Sequence, residues 1–356
     1  MSAPGVVALA PELERWREEL ARVRPQYYRL VLDWAHLQPA AAAPANLDLP
    51  EAGCSRAVQP CAPYAGVRDQ LRALASRQRE GGWQGLVTIT DTPPWAAAPA
   101  SGCADGGGGA RSGDLRPEAL PAYRALVASV LAAARDAGAQ LRWWSPWNEP
   151  NHPYFLPQRE ACDAASPSRA PAAYARIAAA LREALAAAPG DQRLALGEQA
   201  GLLEPTARGT AVGEFIAALP RELVCAADVW TQHAYVGGSD PVNAVARALR
   251  ARGCPGGVPP IWITETGVGA VDSRLALARG ITSERQGCRM VHARLAQWWR
   301  DPRVAAAFQY EFREDEAFPT GLVDPALTRP RRVLAEWQAW GARERPDAPP
   351  PPSACG

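Results

Sequence analysis

The segment LRWWSPWNEPNHP, residues 141–153, joins an aromatic, apolar run to a carboxylate at Glu149. The run 141–147 is short, bulky and bounded by polar residues, which is typical of a buried β-strand. A buried strand has little use for a carboxylate at its end unless that carboxylate takes part in chemistry. Whether Glu149 does so depends on what the other strands of the chain carry at their ends.

Short apolar runs alternate with longer segments of helical period along the chain. The runs predicted as strands are 27–34, 85–90, 141–147, 193–198, 226–233, 260–265 and 304–312. The segments predicted as helices lie near 11–23, 66–79, 118–137, 170–188, 240–251, 280–300 and 329–340. Buried strands separated by helices indicate parallel β-α-β units, and eight such units close into a (β/α)8 barrel. We therefore expect an α/β fold, a TIM barrel, in which these runs are barrel strands two to eight.

The first strand of this barrel is the weak element of the sequence. Only GVVALA, residues 5–10, precedes the first predicted helix. Either this run is barrel strand one, or a segment upstream of Met1 supplies that strand. Residues 1–342 are predicted to form one barrel domain, and the Pro-rich tail 343–356 is predicted to be disordered or extended.

The composition fits an ordinary globular domain and argues against several classes of partner. Hydrophobic residues make up 47% and charged residues 21% of the 356-residue chain, a balance that is neither disordered nor membrane-like. With 38 basic and 37 acidic side chains the net charge is +1, so neither nucleic acid nor an anionic membrane is expected as a partner. No run approaches the roughly 20 apolar residues that a membrane helix needs.

The eight cysteines indicate disulfide bonds rather than a metal site. None forms a C-x-x-C pair and the four histidines are scattered, so no metal site is expected. Four cysteines fall in Pro/Gly-rich loops, which favours disulfides and an oxidising compartment over the alternative of buried free thiols. The best pairs are Cys54 with Cys61, across one loop, and Cys103 with Cys162, in the loops after barrel strands three and four. The N-terminal residues do not read as a complete signal peptide.

A second carboxylate, Glu265, ends the run 260–265 within the segment WITETG. Glu149 and Glu265 thus end barrel strands four and seven, and the carboxyl ends of barrel strands open into one cleft. Three strands apart on a ring of eight, they face each other across that cleft, which suits acid/base and nucleophilic chemistry on a glycosidic bond. Taken singly each motif has a plainer interpretation, because Asn148 or Asn151 would cap a helix and TETG would form a turn.

The two glutamate motifs resemble those of a known enzyme family. WNEPN after the fourth strand and ITETG after the seventh are similar to the retaining glycoside hydrolases of clan A, the 4/7 superfamily, and most of all to families 39 and 5. Three further segments support the resemblance: YYRLVLDWAHLQP for the second strand, TITDTPPWA for the third and WTQHAY for the sixth. The resemblance spans about residues 20–325. It implies a barrel glycosidase that binds a carbohydrate and needs no metal or other cofactor.

The resemblance assigns roles to five residues that match the family's motifs. Glu149 would be the general acid/base, and Glu265 would be the nucleophile. Asn148 would hydrogen-bond the sugar 2-hydroxyl, an interaction that strengthens in the transition state. His233 or Tyr235 would orient the nucleophile, although Tyr235 would equally suit a packed aromatic position.

Arg29 matches the arginine that approaches the nucleophile in this family. The positive charge of Arg29, close to the nucleophile, would keep Glu265 ionised. The alternative is that Arg29 pairs with Asp33 or with another barrel carboxylate.

Three tryptophans at predicted strand ends, Trp34, Trp95 and Trp147, would stack on sugar rings. Each of them would equally suit the barrel core. His152 follows the acid/base and would lie either against substrate or on a surface loop. Glu198 ends the fifth strand and would either line the cleft or bind an arginine; no role is assigned to it.

The eighth strand departs from the family pattern. It reads FQYEFREDEAFPTGLVD, where the family usually places a tryptophan as the sugar platform. Tyr310 or Phe312 would replace that platform, and Gln309 would make polar contacts with substrate.

The sequence therefore predicts a glycosidase that cleaves O-glycosidic bonds, β-linked by default, with retention. A transglycosylase would use the same residues and differ only in what attacks the intermediate. A catalytically silent carbohydrate-binding barrel is the alternative from another class, although binding alone needs neither glutamate. Loop cysteines and a sugar substrate favour an extracellular or cell-envelope location.

Overall fold

The computed structural model describes residues 16–50, 66–99, 103, 112–271, 273–314, 318–343 and 348–356. Its strands are β1 (Tyr27–Asp33), β2 (Gln84–Thr90), β3 (Trp143–Ser145), β4 (Arg193–Gln199), β5 (Val229–His233), β6 (Ile261–Thr266) and β7 (Val304–Gln309). Each strand pairs in parallel with the next, in the order β1-β2-β3-β4-β5-β6-β7. The predicted α/β barrel architecture is confirmed, and β1 to β7 are the runs predicted as barrel strands two to eight.

Helices separate the strands, as parallel pairing requires. They are α1 (Arg17–Val23), α2 (Trp34–Leu37), α3 (Val67–Gly81), α4 (Leu120–Ala137), α5 (Ala170–Ala186), α6 (Val212–Ala218), α7 (Arg221–Val224), α8 (Val242–Ala251), α9 (Arg274–Leu277), α10 (Glu284–Arg300) and α11 (Val333–Gly341). A 3-10 turn, Pro117–Ala119, precedes α4. Within the described residues, no helix is both long and apolar enough to cross a membrane.

The sheet curls around an interior layer to which every strand contributes. The layer consists of Leu86, Ala195, Val229, Trp262 and Phe308, with Tyr27, Trp143 and Ala306 packed against them. The rings of Tyr27 on β1 and Trp262 on β6 have centroids 4.8 Å apart, so strands distant in sheet order meet across the interior. A larger apolar cluster packs the outer faces of the strands against the helices. Burial on both faces explains why the strands read as continuous apolar runs.

A groove of about 690 Å³ lies between β1 and β7. Its lining includes Tyr27, Ala306, Trp298, Trp337 and Trp340. Most of β7 from Val304 to Ala307 is partly exposed, whereas β2 and β6 are buried almost throughout. The groove therefore lies where the first strand of a closed barrel would pair. The predicted occupant, 5–10, lies outside the described residues.

Disulfide bonds connect three pairs of described cysteines. They are Cys103–Cys162, Cys225–Cys254 and Cys288–Cys355. The first confirms the predicted bridge between the loops after barrel strands three and four, with its Cα atoms 4.8 Å apart. The other two were not predicted, and the predicted pair Cys54–Cys61 lies outside the described residues. Three disulfides are typical of a protein from an oxidising compartment.

The C-terminal tail is attached to the barrel through its last residues. Cys355 is disulfide-bonded to Cys288 of α10, and the Ala354 amide donates to Glu336 Oε2 of α11 at 2.9 Å. Arg332 Nη1 also donates to the Cys355 carbonyl at 3.1 Å. Of the two predicted states of the tail, disordered or extended, residues 348–356 are extended, and they are anchored by a covalent bond that composition does not reveal.

Candidate active site

The segment after β3 places Asn148 and Glu149 at the carboxyl end of the sheet. The Asn148 amide donates to the Ile89 carbonyl at the end of β2, at 3.0 Å. The Asn151 side chain donates to the Ala200 and Thr210 carbonyls, at 3.0 Å each. It thereby joins the segment after β3 to the segment after β4. Since no described helix begins at either asparagine, helix capping does not explain this motif.

Arg29, the third residue of β1, crosses the barrel interior with no exposed surface. Its Nη1 donates to Glu265 Oε1 at 2.8 Å, and its Nη2 donates to Asn148 Oδ1 at 2.7 Å. Nη2 also donates to Glu198 Oε2 at 2.5 Å. Burial opposes the charge, but Glu198 and Glu265 outweigh it and raise the Arg29 pKa. Asp33, the alternative partner, instead caps α2 by accepting from the His36 amide.

His233, the last residue of β5, faces carboxylates through both ring nitrogens. Its Nδ1 lies 2.8 Å from Glu149 Oε1 and 3.2 Å from Glu265 Oε2, and its Nε2 lies 3.2 Å from Glu198 Oε2. Burial disfavours a charged ring, but the three carboxylates outweigh burial and raise the pKa of His233 to about 10. The ring is therefore an imidazolium at neutral pH, and both nitrogens donate.

Tyr235 gives Glu265 a further donor. Its hydroxyl donates to Glu265 Oε2 at 2.5 Å. Burial, followed by the charge of Glu265, raises the pKa of Tyr235 well above its usual value, so the hydroxyl keeps its proton. The Tyr235 ring packs edge-on against Phe318, with centroids 4.7 Å apart, and lies 6.5 Å from the Tyr310 ring.

Five of these side chains form a connected set, which we call the carboxylate cluster. It consists of Arg29, Glu149, Glu198, His233 and Glu265. One oxygen of Glu149, one oxygen of Glu265 and a ring nitrogen of His233 all lie within 4.8 Å of one another. The structure thus brings the two predicted catalytic carboxylates together at the end of the barrel.

The carboxylates of the cluster differ in their access to solvent. The side chain of Glu149 is 17% exposed, that of Glu265 9% and that of Glu198 0%. Burial opposes ionisation of Glu149, but the hydrogen bond to His233 and the positive charges around it together outweigh burial and lower the pKa of Glu149. Glu149 is therefore the carboxylate that an entering molecule reaches most easily.

Two groups of described side chains each bring three possible ligand atoms within 4.8 Å of one another. In the set Glu149, His233 and Glu265, both ring nitrogens of His233 already face carboxylates. In the set Cys288, Glu336 and Cys355, both sulfurs belong to a disulfide bond, so neither is a thiolate ligand.

The predicted tryptophan platforms are mostly buried in the core. Trp34 and Trp147 have no exposed surface, so the prediction that they stack on sugars is wrong. Trp34 packs edge-on against Trp95 and Tyr123, with centroids 5.7 and 5.6 Å apart. Trp95 is partly exposed and keeps a surface that a ligand can reach.

The segment after β7 is organised by Gln309. Its side-chain amide donates to the carbonyls of Tyr310, at 2.8 Å, and Thr320, at 2.6 Å. The side-chain amide of Gln309 therefore binds the backbone rather than a ligand. Phe312 is buried, whereas Tyr310 and Phe318 keep partial exposure beside Tyr235.

Sequence reasoning left two residues of this site unassigned or unnoticed. Glu198 was expected to line the cleft or to bind an arginine but was given no role, although the Gly-Glu pair in LALGEQ is a signal of a bulge that redirects a side chain. Phe318 carries no sequence signal of its own.

Comparison with known proteins reveals similarity in structure but not in sequence. No protein-family model matches the chain, and no curated protein matches it in sequence. A GH30 endoxylanase from Clostridium papyrosolvens superposes with a TM-score of 0.59 at 11% identity, over 97% of this chain and 72% of its own. A conserved exported protein from Bacteroides fragilis superposes with a TM-score of 0.60 at 15% identity, over 97% and 78%.

Two further structures superpose on this chain at a similar level. A fungal β-1,4-galactanase superposes with a TM-score of 0.51 at 12% identity, over 90% of this chain and 89% of its own. A β-glucuronidase 2 from Bacteroides uniformis superposes with a TM-score of 0.51 at 12% identity, over 93% of this chain. The chain spans only 32% of that enzyme's length. At these identities the likeness is one of fold.

Proposed function

We propose that the protein is a retaining glycoside hydrolase that cleaves β-linked O-glycosidic bonds, with Glu265 as nucleophile and Glu149 as general acid/base. The observation that carries the proposal is the approach of these two carboxylates, because one oxygen of Glu149 lies within 4.8 Å of one oxygen of Glu265. Retaining enzymes place the two carboxyl groups about 5–5.5 Å apart, whereas inverting enzymes leave about 6.5–9.5 Å for a water molecule. The short separation favours attack by the protein itself.

The surroundings of Glu265 suit a nucleophile. Arg29 and Tyr235 donate to its carboxylate at 2.8 and 2.5 Å, and the charged His233 ring lies 3.2 Å from it. Hydrogen bonds and positive charge favour the ionised form of a carboxyl group. Donors on both oxygens also fix the plane of the carboxylate before the sugar arrives, which reduces the cost of orientation.

Glu149 gives a proton in the first step of the proposed reaction and takes one in the second. In the first step an oxygen of Glu265 attacks the anomeric carbon, the bond to the leaving oxygen breaks, and Glu149 gives that oxygen its proton. In the second step Glu149 takes a proton from water, the water oxygen attacks the anomeric carbon, and the bond to Glu265 breaks. Each turnover consumes one water and regenerates both carboxyl groups.

Asn148 is positioned to bind the sugar itself. Its side-chain oxygen accepts from Arg29 at 2.7 Å, which fixes the orientation of the amide and leaves its NH2 group as a donor. We assign this donor to the sugar 2-hydroxyl, where hydrogen bonds strengthen in the transition state.

The comparisons support one type of linkage in the substrate. The galactanase and the glucuronidase are named for β-linked sugars, which supports a β-linked substrate for this barrel. The three disulfides support an extracellular or cell-envelope location, where polysaccharide substrates occur. Residues 1–342 then form the catalytic domain.

A panel of 4-nitrophenyl β-glycosides and plant polysaccharides tests the proposal, with the anomer of the first product followed by proton NMR. We expect at least one β-linked substrate to be cleaved to the β-anomer, and Glu265→Gln to abolish that cleavage. Glu222→Gln, an exposed glutamate of α7, is the control and should keep full activity. First release of the α-anomer would refute retention. Sugar binding without cleavage by the intact protein would favour a binding barrel, and oligosaccharide products longer than the donor would favour a transglycosylase.

A further inference from the structure

The carboxylate cluster contains a third glutamate that does not reach the surface. Glu198 of β4 has no exposed area. Its Oε2 accepts from Arg29 Nη2 at 2.5 Å and lies 3.2 Å from His233 Nε2. A sugar at the end of the barrel meets Glu149 and Glu265 before it meets Glu198, so Glu198 acts through its neighbours.

A distortion of β4 turns Glu198 towards these neighbours. The pairing of β4 with β5 shifts register between Leu196 and Gln199, and both Gly197 and Glu198 have positive φ, at 117° and 48°. A Cβ on Gly197 would lie 2.3 Å from the Thr231 carbonyl oxygen, so only glycine fits there. Bulges beside active sites commonly redirect a side chain, and strained backbone is retained where it serves function.

The bulge is held by hydrogen bonds to its own backbone. The Gly197 amide donates to the Tyr174 hydroxyl at 2.8 Å, and the Glu198 amide donates to Thr231 Oγ1 at 2.6 Å. These bonds fix the one conformation in which the Glu198 carboxylate meets both cations of the cluster.

We propose that Glu198 is a positioning residue that holds Arg29 and His233 in place, keeps His233 protonated, and thereby sets the pH range of catalysis. The inference rests on the proposed function. Arg29 transmits the effect to Glu265 and Asn148, and His233 transmits it to Glu149 and Glu265. One buried carboxylate thus orients the nucleophile and the acid/base together, because each of its two cationic partners contacts a catalytic carboxylate.

The charges around Glu198 give the sign of its effect. It faces Arg29 from β1, His233 from β5, Thr264 from β6 and Tyr174 from α5. Burial opposes ionisation, but Arg29 and then His233 outweigh it and lower the pKa of Glu198 to about 2. Glu198 is therefore negative throughout the working pH range. Replacing it with glutamine removes one negative charge beside His233.

Glu198→Gln should shift the alkaline limb of kcat/KM to lower pH by about 1–3 units. His233 loses an anionic neighbour, so it releases its proton more readily. At a fixed pH above the limb, a shift of one unit is a tenfold loss of kcat/KM. Glu198→Asp retains the charge on a shorter side chain, so its limb should stay within about half a unit of the wild-type limb even if kcat falls.

Glu336→Gln is the matched structural control. Glu336 is also fully buried and accepts from a histidine, His292 Nδ1, at 2.8 Å, but it lies on α11 away from the cluster. This variant should lose stability yet keep the wild-type pH profile. An unshifted alkaline limb in folded Glu198→Gln would overturn the inference, as would an equal shift in Glu336→Gln.

A measurement on the wild-type protein does not depend on whether a variant folds. The side chain of His233 should stay protonated up to about pH 10 in an NMR titration of the imidazole nitrogens. The four histidines are assigned by replacing His36, His152 and His292 with glutamine one at a time. Titration of His233 near its ordinary value of about 6.5 would overturn the inference. If Glu265→Gln kept full activity, the proposed function would fail instead, whatever the outcome at Glu198.

Discussion

Tyr235→Phe removes one hydrogen bond from the proposed nucleophile and changes little else. The Tyr235 hydroxyl donates to Glu265 Oε2 at 2.5 Å, while the ring keeps its packing against Phe318. A hydrogen bond to a charged group contributes about 1.5–3 kcal/mol, which corresponds to a rate factor of about 10- to 150-fold. Because His233 Nδ1 still reaches the same oxygen, at 3.2 Å, we expect a loss of kcat/KM of about 10- to 50-fold.

The pH profile separates the loss of the hydrogen bond from a titration of Tyr235 itself. The Tyr235 hydroxyl itself does not titrate in this range, because burial and the charge of Glu265 raise its pKa well above the usual value. The assay is hydrolysis of a 4-nitrophenyl β-glycoside that the wild-type protein cleaves, followed between about pH 3 and 9.

Tyr28→Phe provides the control for the loss of a buried hydroxyl. The Tyr28 hydroxyl donates to Gln70 Oε1 at 2.6 Å and is buried on the helix-facing side of β1. This variant should lose stability but keep its kcat/KM. If Tyr235→Phe retained kcat/KM within about twofold, Tyr235 would not orient the nucleophile.

Three further changes test the remaining assignments. Glu265→Ala should abolish turnover, whereas Glu149→Ala should still be glycosylated by a nitrophenyl β-glycoside. Azide should then restore turnover of Glu149→Ala and give a β-glycosyl azide that NMR detects. Azide rescue of Glu265→Ala with the opposite anomer would reverse the two roles. Replacing Cys103 and Cys162 by Ser should lower the free energy of unfolding by about 2–4 kcal/mol, measured by urea denaturation, and an unchanged midpoint would contradict a structural role for the bridge. Amides of residues 5–10 should exchange slowly with deuterated water, because we propose that this run pairs in the groove beside β7; exchange at the rate of an unstructured peptide would show that it does not.

The order of the strands could be predicted because parallel barrel strands are buried on both faces. Each apolar run stood out from the surrounding helical segments, and all seven runs became strands. Their lengths were less predictable. The run 141–147 shortens to Trp143–Ser145, since Pro146 has no amide hydrogen to continue the ladder. The run 304–312 similarly ends at Gln309.

The site residues could be predicted where the position of a residue along a strand determines the direction of its side chain. They could not be predicted where rotation about the side chain's own bonds determines that direction. Arg29 lies on a strand of unbroken register and Glu265 lies at the end of a strand, so their approach followed from the barrel geometry. Trp34 and Trp147 lie just beyond strand ends, where an aromatic ring turns either to the cleft or to the helices, and both turned to the core. Glu198 depends on a bulge, which changes the face to which its side chain points.

Two disulfides were unpredictable for a different reason. Cys225–Cys254 and Cys288–Cys355 join segments 29 and 67 residues apart. Their pairing depends on how the helices pack and on the path of the tail. The pair Cys103–Cys162 was predictable, because it needed only the adjacency of two consecutive barrel loops.

The distribution of charge in the cluster explains why Glu149 rather than Glu265 should carry the catalytic proton. Three carboxylates face two cations, so one added proton makes the cluster neutral, the state that a buried site favours. Glu265 and Glu198 each accept from Arg29 and from one further donor, whereas Glu149 accepts from His233 and is the most exposed. The added proton therefore belongs on Glu149, and a bound sugar that excludes water raises the pKa of Glu149 above the lowered value that it has in the free protein. Once the sugar is bonded to Glu265, one negative charge disappears beside Glu149, its pKa falls, and the same residue becomes a base for water.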